Sequence, residues 1–209
     1  SYGENMKSDY IHVKKFISDD IADLLYGHVL LAHRRLSVML DDIDFCKKYP
    51  NEKIPPTLYG TFDDPQALGD LSRYGDLIFD TLLLGKTEQL EQITETGLIP
   101  QYSYYRLYTK NAELKKHKDR ESCEISLTMC LGYDAETSWP IWFKDKDGKE
   151  ISISLEKGDM VIYRGCDLEH WREPFEGNNI AQVFLHYTKK GGKYENEKYD
   201  GRPALGYPK

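Results

Sequence analysis

The sequence predicts an α+β protein whose strands close into a sandwich or barrel. Three observations carry this. Apolar residues recur at helical spacing through roughly the first hundred positions, the period then changes to alternation, and the rest breaks into short strand-like runs divided by turn residues. The number of those runs fits a jelly roll.

Taken in order, Tyr10 to Ile17 reads as a short strand, with Ile11, Val13 and Phe16 among polar residues. Ser18-Asp19-Asp20 supplies N-cap chemistry. An amphipathic helix follows from Ile21 to Leu40, with Leu24, Leu25, Val29, Leu30, Leu36 and Met39 at helical spacing. His28 and His33 inside it read as surface or packing histidines. Lys47 to Pro56 is a loop, broken by Pro50, Asn51, Pro55 and Pro56. Asp63-Asp64-Pro65 looks like a helix start. A second helix is expected over Pro65 to Leu84, with Leu68, Leu71, Tyr74, Leu77, Ile78 and Leu82 on its apolar face and Gly85 ending it. A third covers Thr87 to Thr96, with Thr87 as N-cap and Gly97 closing it.

The period then shortens. In Tyr102 to Thr109, Tyr102, Tyr104, Arg106 and Tyr108 share one face. Glu124 to Leu131 is rich in strand formers, with Ser126, Thr128 and Cys130 on one face. Trp139 to Phe143 and Glu150 to Leu155 form a hairpin across Lys144-Asp145-Lys146-Asp147-Gly148. Met160 to Tyr163 and Ile180 to Tyr187 complete the strands.

At 209 residues a single domain is expected: a strand with supporting helices over about 10–100, a jelly-roll core over about 101–190, and a polar, Tyr-rich tail over 191–209. The tail reads either as a strap across the substrate or as a terminus laid on the surface. Lys and Arg number 28 against 35 Asp and Glu, a formal charge of -7, which makes nucleic acid an unlikely partner. Lys115, Lys116, Lys118 and Arg120 form one candidate for a local basic patch. No apolar run approaches bilayer-spanning length and no charged-then-apolar leader opens the chain, so no membrane partner and a cytoplasmic location are expected. Cys46, Cys123, Cys130 and Cys166 have no zinc-ribbon spacing and read as buried small hydrophobes in a reducing compartment.

The chemistry concentrates in two pieces, Leu114-Lys115-Lys116-His117-Lys118-Asp119-Arg120 and Gly165-Cys166-Asp167-Leu168-Glu169-His170-Trp171-Arg172. His117 and Asp119 stand two apart, so in extended backbone both point one way. With a distant His they make a two-His, one-carboxylate set, which suits Fe(II) and leaves coordination positions open. Both His170 and His186 are candidates for the third ligand.

The region from Tyr104 to Tyr187 resembles the 2-oxoglutarate and Fe(II)-dependent dioxygenases, particularly their prolyl 4-hydroxylase-like branch. Tyr108, Leu114, His117 and Asp119 match that branch's Tyr-(x)5-Leu-x-x-His-x-Asp run. Leu155 to Tyr163 resembles its Gly-Asp turn and the strand leading to the distal His, and Tyr10 to Leu40 its opening strand and helix. The resemblance implies a double-stranded β-helix, that is, a jelly-roll core with helices packed outside. It implies His117, Asp119 and His170 as iron ligands, Tyr108 hydrogen-bonded to the cosubstrate, and Thr128 on the strand lining the 2-oxoglutarate pocket. It also implies Fe(II), 2-oxoglutarate and O2 as cofactors, with ascorbate as a reductant. The reaction would hydroxylate an unactivated C–H bond, releasing succinate and CO2. The implied substrate is a prolyl residue in a peptide or protein, with a free amino acid or small metabolite as competitor. Tyr102, Tyr104, Trp139, Trp142 and Trp171 are aromatics available to stack a proline ring.

One departure matters. The branch places a Lys or Arg nine or ten residues after the distal His to pair with the far carboxylate of 2-oxoglutarate, and here those positions are Asn179 and Ile180. A buried dianion needs a cation. Arg172 and Arg106 are the candidates, with Arg172 preferred. A cupin-like metal-binding module that uses no 2-oxoglutarate is the reading this departure would favour instead.

Overall fold

A computed structural model describes residues 6–48, 56–195 and 198–209. Strand β1 (Tyr10–Val13) leads into helix α1 (Asp19–Asp41), and Ser18 Oγ accepts the Ile21 N–H at its N-cap. Strand β1 is shorter than expected because Lys15 takes a left-handed φ of 52° and gives its N–H to Asp159. Helix α1 buries Ala22, Leu25, Val29, Ala32 and Leu36, whereas Leu24 is 72% exposed. The buried stripe is therefore rotated from the one the leucines alone suggested, because small alanines fit closest to the sheet. Two short helices follow, α2 (Ile43–Lys48) and α3 (Pro56–Tyr59). Residues 49–55 of the expected 47–56 loop lie outside the described residues.

The helix expected over Pro65 to Leu84 is not one helix. Leu71–Tyr74 is strand β2, and only Leu77–Gly85 is helical, as α4. Gly69 and Gly75 bracket the strand at φ 89° and 66°, conformations that end regular structure on either side. Leu71 and Ser72 pair with Leu107 and Arg106, so a tertiary partner overrode a helical pattern. Leu68 and Leu77, read as core, are 76% and 69% exposed, while Phe79 and Leu83 are buried. Asp63-Asp64-Pro65 opens a turn rather than a helix. Helix α5 (Thr87–Thr94) has Lys86 at its N-cap, and the Thr87 hydroxyl instead donates back to the Leu83 carbonyl. Glu95, at φ 52°, ends it in place of Gly97.

The remaining strands are β3 (Leu98–Thr109), β4 (Leu114–His117), β5 (Ile125–Asp134), β6 (Ile141–Lys144), β7 (Glu150–Ile153), β8 (Met160–Arg164), β9 (Glu169–Arg172) and β10 (Asn179–Lys189). They form an antiparallel sheet in the order β1-β8-β5-β10-β3-β2 and a second in the order β4-β9-β6-β7. Strands β3 to β10 thus divide four and four between facing sheets, the jelly roll expected. The β6–β7 hairpin turns at Gly148, with Asp145 accepting the Asp147 and Lys149 N–H groups.

Strand alternation creates two cores. Odd positions of β5 and β10, such as Leu127, Met129, Val183 and Leu185, pack under α1, α4 and α5. Even positions, including Cys130, Ile180 and Phe184, face the second sheet and meet Phe143, Leu155, Tyr163 and Leu168. The space between the sheets holds the chemistry. Among the described residues no helix is long and apolar enough to cross a membrane.

Candidate metal centre

His117 ends β4 and His170 lies in β9, and the two are register partners across that ladder. The two rings meet, and that of His170 packs beside Phe143 and Tyr163. Asp119 follows β4 and is fixed by its backbone N–H, which donates to the Gly165 carbonyl at 2.9 Å. Gly165 must be glycine there. A Cβ would stand 2.6 Å from Asp119 Oδ2 and 2.9 Å from Ser126 Oγ, and would overlap the Cys123 carbonyl.

The three side chains converge. Asp119 Oδ1 lies 3.4 Å from His117 Nε2 and 3.2 Å from His170 Nε2. One ligand atom from each falls within 4.8 Å of the others. Each imidazole turns Nδ1 to a backbone carbonyl two residues upstream, His117 to Lys115 at 2.7 Å and His170 to Leu168 at 2.8 Å. A carbonyl only accepts, so Nδ1 carries a proton and Nε2 is the atom turned to Asp119, donating to it when protonated and offering its lone pair once that proton is lost. That is the tautomer a metal needs, held by backbone. Burial pushes the Asp119 carboxyl up, but the two imidazoles outweigh it and hold it well below the usual carboxylate range. For His117 burial lowers the pKa, and the Asp119 contact and the Lys115 carbonyl raise it overall. Two imidazoles, one carboxylate and open space suit Fe(II).

His186, the rival ligand, is held behind this group. Its Nδ1 is 2.8 Å from Ser126 Oγ, whose one proton is shared between the Cys123 carbonyl at 3.0 Å and Asp119 Oδ2 at 3.3 Å. Burial pushes the His186 imidazole down to about 4, so it is neutral at pH 7. It also falls within a second cluster with Asp119 and Cys123. Its Ser126 contact makes it a support for the Asp119 carboxylate.

A cavity of about 460 Å³ opens beside the triad, lined by Tyr102, Tyr104, Arg106, Tyr163, Arg172 and His186 among others. Arg172 is 1% exposed. It donates to the Trp139 carbonyl at 2.8 Å and to Thr128 Oγ1 at 3.4 Å, and its Nε has no partner among the described residues. No carboxylate of the described residues pairs with it, and burial lowers its pKa. Arg106 differs. Its guanidinium is engaged by Asp64 and Gln66 at 3.0 Å, Ser72 at 3.1 Å and the Tyr108 hydroxyl at 3.2 Å. Tyr108 is fully buried against Trp139, and its hydroxyl meets the cavity-lining Arg106. Asn179 contacts Tyr26 of α1 outside the barrel, and Ile180 is apolar core.

The sequence reading missed Ser126 as a support, although it placed that residue on the inward face with Thr128. It also missed Gln182, an inward position of β10 whose Oε1 is 3.2 Å from Thr128 Oγ1. Both follow from strand parity. Of the aromatics proposed near the site, Tyr102 and Tyr104 line the cavity, while Trp139 packs on Tyr108 and accepts from Arg172 through its carbonyl. Trp142 and Trp171 stack on each other on the opposite face of their strands. The basic run is partly neutralised, with Lys116 paired to Glu150 and Arg120 to Asp200. Cys123 and Cys130 are buried as expected, but Cys46 is exposed.

No protein-family model and no curated protein sequence matches this chain. Solved structures do share its fold. A prolyl-4-hydroxylase from Pseudomonas putida is 14% identical, with a TM-score of 0.60, covering 88% of this chain and 95% of its own. A prolyl hydroxylase from Trichoplax adhaerens, in complex with a hypoxia inducible factor oxygen degradation domain peptide fragment, is 10% identical with a TM-score of 0.57, covering 87% and 84%. HygX from Streptomyces hygroscopicus, with nickel and 2-oxoglutarate bound, is 10% identical with a TM-score of 0.54, covering 86% and 82%. The double-stranded β-helix of these oxygenases is the fold of this chain.

Proposed function

We propose that the whole chain serves as one dioxygenase domain, dependent on Fe(II) and 2-oxoglutarate, that hydroxylates an unactivated C–H bond. One observation carries this reading: a two-His, one-carboxylate cluster opens onto the same cavity as a buried guanidinium with no carboxylate partner among the described residues. An uncompensated buried cation is costly, and an anionic guest removes that cost. This also favours an enzyme over a metal-binding module, which would have no use for Arg172.

His117, Asp119 and His170 would hold Fe(II), which together with 2-oxoglutarate and O2 supplies the oxidising chemistry. The protein's part is placement. The Lys115 and Leu168 carbonyls keep the Nε2 lone pairs inward. Ser126 orients Asp119 from behind. Arg172 receives the far carboxylate of 2-oxoglutarate, with Thr128 beside it and Tyr108 offering its phenol proton, since its oxygen already accepts from Arg106. Tyr163, Ile141 and Phe184 line the cavity and limit water there.

The preferred substrate is a prolyl residue in a peptide or protein. The shared fold with prolyl hydroxylases, one of them bound to a peptide, supports it, as do Tyr102 and Tyr104 at the cavity wall. A free amino acid or small metabolite is the competing substrate. We place the enzyme in the cytoplasm and give ascorbate the role of reductant.

The test is an anaerobic titration of 2-oxoglutarate into the Fe(II)-loaded protein. A weak visible charge-transfer band is expected, followed in air by succinate release that rises with proline-containing peptides. No band and no succinate would overturn the proposal, and succinate coupled only to small amino acids would move the substrate to the competing class.

A further inference from the structure

Gln182 is the other unexplained polar group of the barrel interior. It is fully buried behind the cavity-lining Arg172 and Phe184, and its side-chain Nε2, like Arg172 Nε, has no partner among the described residues. Buried amide donors are almost always paired. Two orphan donors of one interior, joined through one hydroxyl, call for a shared acceptor.

The hydrogen-bond order sets which end of the amide is free. Arg172 Nη2 has only protons to give, so at 3.4 Å Thr128 Oγ1 accepts from it. The Thr128 proton then goes to Gln182 Oε1 at 3.2 Å. The Gln182 carbonyl is thereby used, and its NH2 is left to face the interior. Its strand position agrees. Gln182 lies between Ile180 and Phe184 on the inward face of β10, with Arg106 and Cys130 as register neighbours.

We infer that Gln182, through its side-chain NH2, is the second donor to the far carboxylate of 2-oxoglutarate, completing with Arg172 and Thr128 an anchor in which one buried cation and one amide replace the missing cation of β10. This rests on the proposed use of 2-oxoglutarate. The chemistry is complementary: a carboxylate has two oxygens, and Arg172 and Gln182 approach from different strands, β9 and β10. The amide adds a donor without adding a second buried charge.

Binding, not turnover, is the readout. 2-Oxoglutarate and 2-oxobutyrate, a 2-oxo acid without the far carboxylate, are titrated anaerobically into Fe(II)-loaded wild type, Gln182→Leu and Gln182→Glu. For 2-oxoglutarate, Gln182→Leu should weaken binding about tenfold or more, as expected for a lost hydrogen bond to a charged group, and Gln182→Glu by more. For 2-oxobutyrate both variants should stay within about twofold of wild type. Equal losses for both ligands, or no loss for either, overturn the inference. As a check that needs no stable variant, wild type loaded with Zn(II) should show a 2-oxoglutarate-dependent shift of the Gln182 side-chain amide resonance in NMR. An unmoved resonance overturns it too. A wild type that binds no 2-oxoglutarate instead overturns the proposed function on which the inference rests.

Discussion

His117 and His170 face each other as register partners on β4 and β9, with ring centroids 4.3 Å apart. Each presents Nε2 to the same Asp119 oxygen. In the proposed ligand set, removing either ring leaves only one imidazole and one carboxylate for a divalent ion. Loss of a residue that merely orients a ligand costs roughly 10–100-fold in metal affinity, so His117→Ala or His170→Ala should cost more than about 100-fold. Metal at about a hundred times its Kd should raise wild-type stability by about 2.7 kcal/mol and neither variant's. Anaerobic metal titration with thermal unfolding checks both. Unchanged affinity in either variant would remove that histidine from the ligand set.

Gly165 sits where the Cys123 carbonyl, Asp119 and Ser126 meet. Gly165→Ala drives a methyl into backbone that cannot yield, so a destabilisation of about 1–3 kcal/mol is expected from overpacking alone. Metal affinity should fall with it, because Asp119 is displaced. Ser126→Ala is the milder companion: it removes the contact to Asp119 Oδ2 and should lower metal affinity about tenfold while the fold holds. Urea unfolding and metal titration separate the two effects.

Arg172 is buried with no carboxylate partner among the described residues, which makes it a cost to the ligand-free protein. Arg172→Met keeps most of the stem's packing and removes the charge. The ligand-free variant should be at least as stable as wild type, by up to about 1–3 kcal/mol, and should lose 2-oxoglutarate binding. Chemical denaturation and calorimetry read the two quantities. A variant that binds 2-oxoglutarate normally would show that the charge serves something else.

The tail is a clasp rather than a loose terminus. Asp200 is 3% exposed and receives both Arg120 guanidinium nitrogens, at 2.8 and 2.9 Å, as well as Ser122, Tyr74 and Lys209. Arg202 pairs with buried Asp80 at 2.9 Å. Burial pushes the Asp200 carboxyl up, but Arg120, Lys209 and Tyr74 outweigh it and hold it below its ordinary value of 3.8. With the folded-state pKa depressed, the stabilisation is full above that ordinary value and is lost as pH falls through the folded pKa. Wild-type stability should therefore drop more steeply below about pH 4 than that of Asp200→Asn, which lacks this titration. Unfolding midpoints from pH 2 to 7 test this, and parallel curves would refute it.

Much of this molecule was legible in its sequence. The change of period near residue 100 separated helices from strands, because helix and strand place apolar residues at spacings that rarely coincide. Strand parity put Ser126, Thr128 and Cys130 on one face, and the structure turns that face inward. The second helix was the main error. Leu71 and Tyr74 fit a helical stripe, but β3 offered an open edge, and Gly69 and Gly75 allowed the chain to leave and re-enter regular structure.

Local spacing by itself determined that His117 and Asp119 lie on one side, since residues two apart in extended backbone share a side. It also exposed the absence of a cation at positions 179 and 180. Which histidine joins that pair, and which arginine is free, are matters of distance between strands far apart in sequence. The β4–β9 ladder brings His170 to Asp119 and leaves His186 behind Ser126. Asp64 neutralises Arg106, while nothing among the described residues neutralises Arg172. Charge compensation depends on what lies within a few ångströms, and only the folded chain sets that.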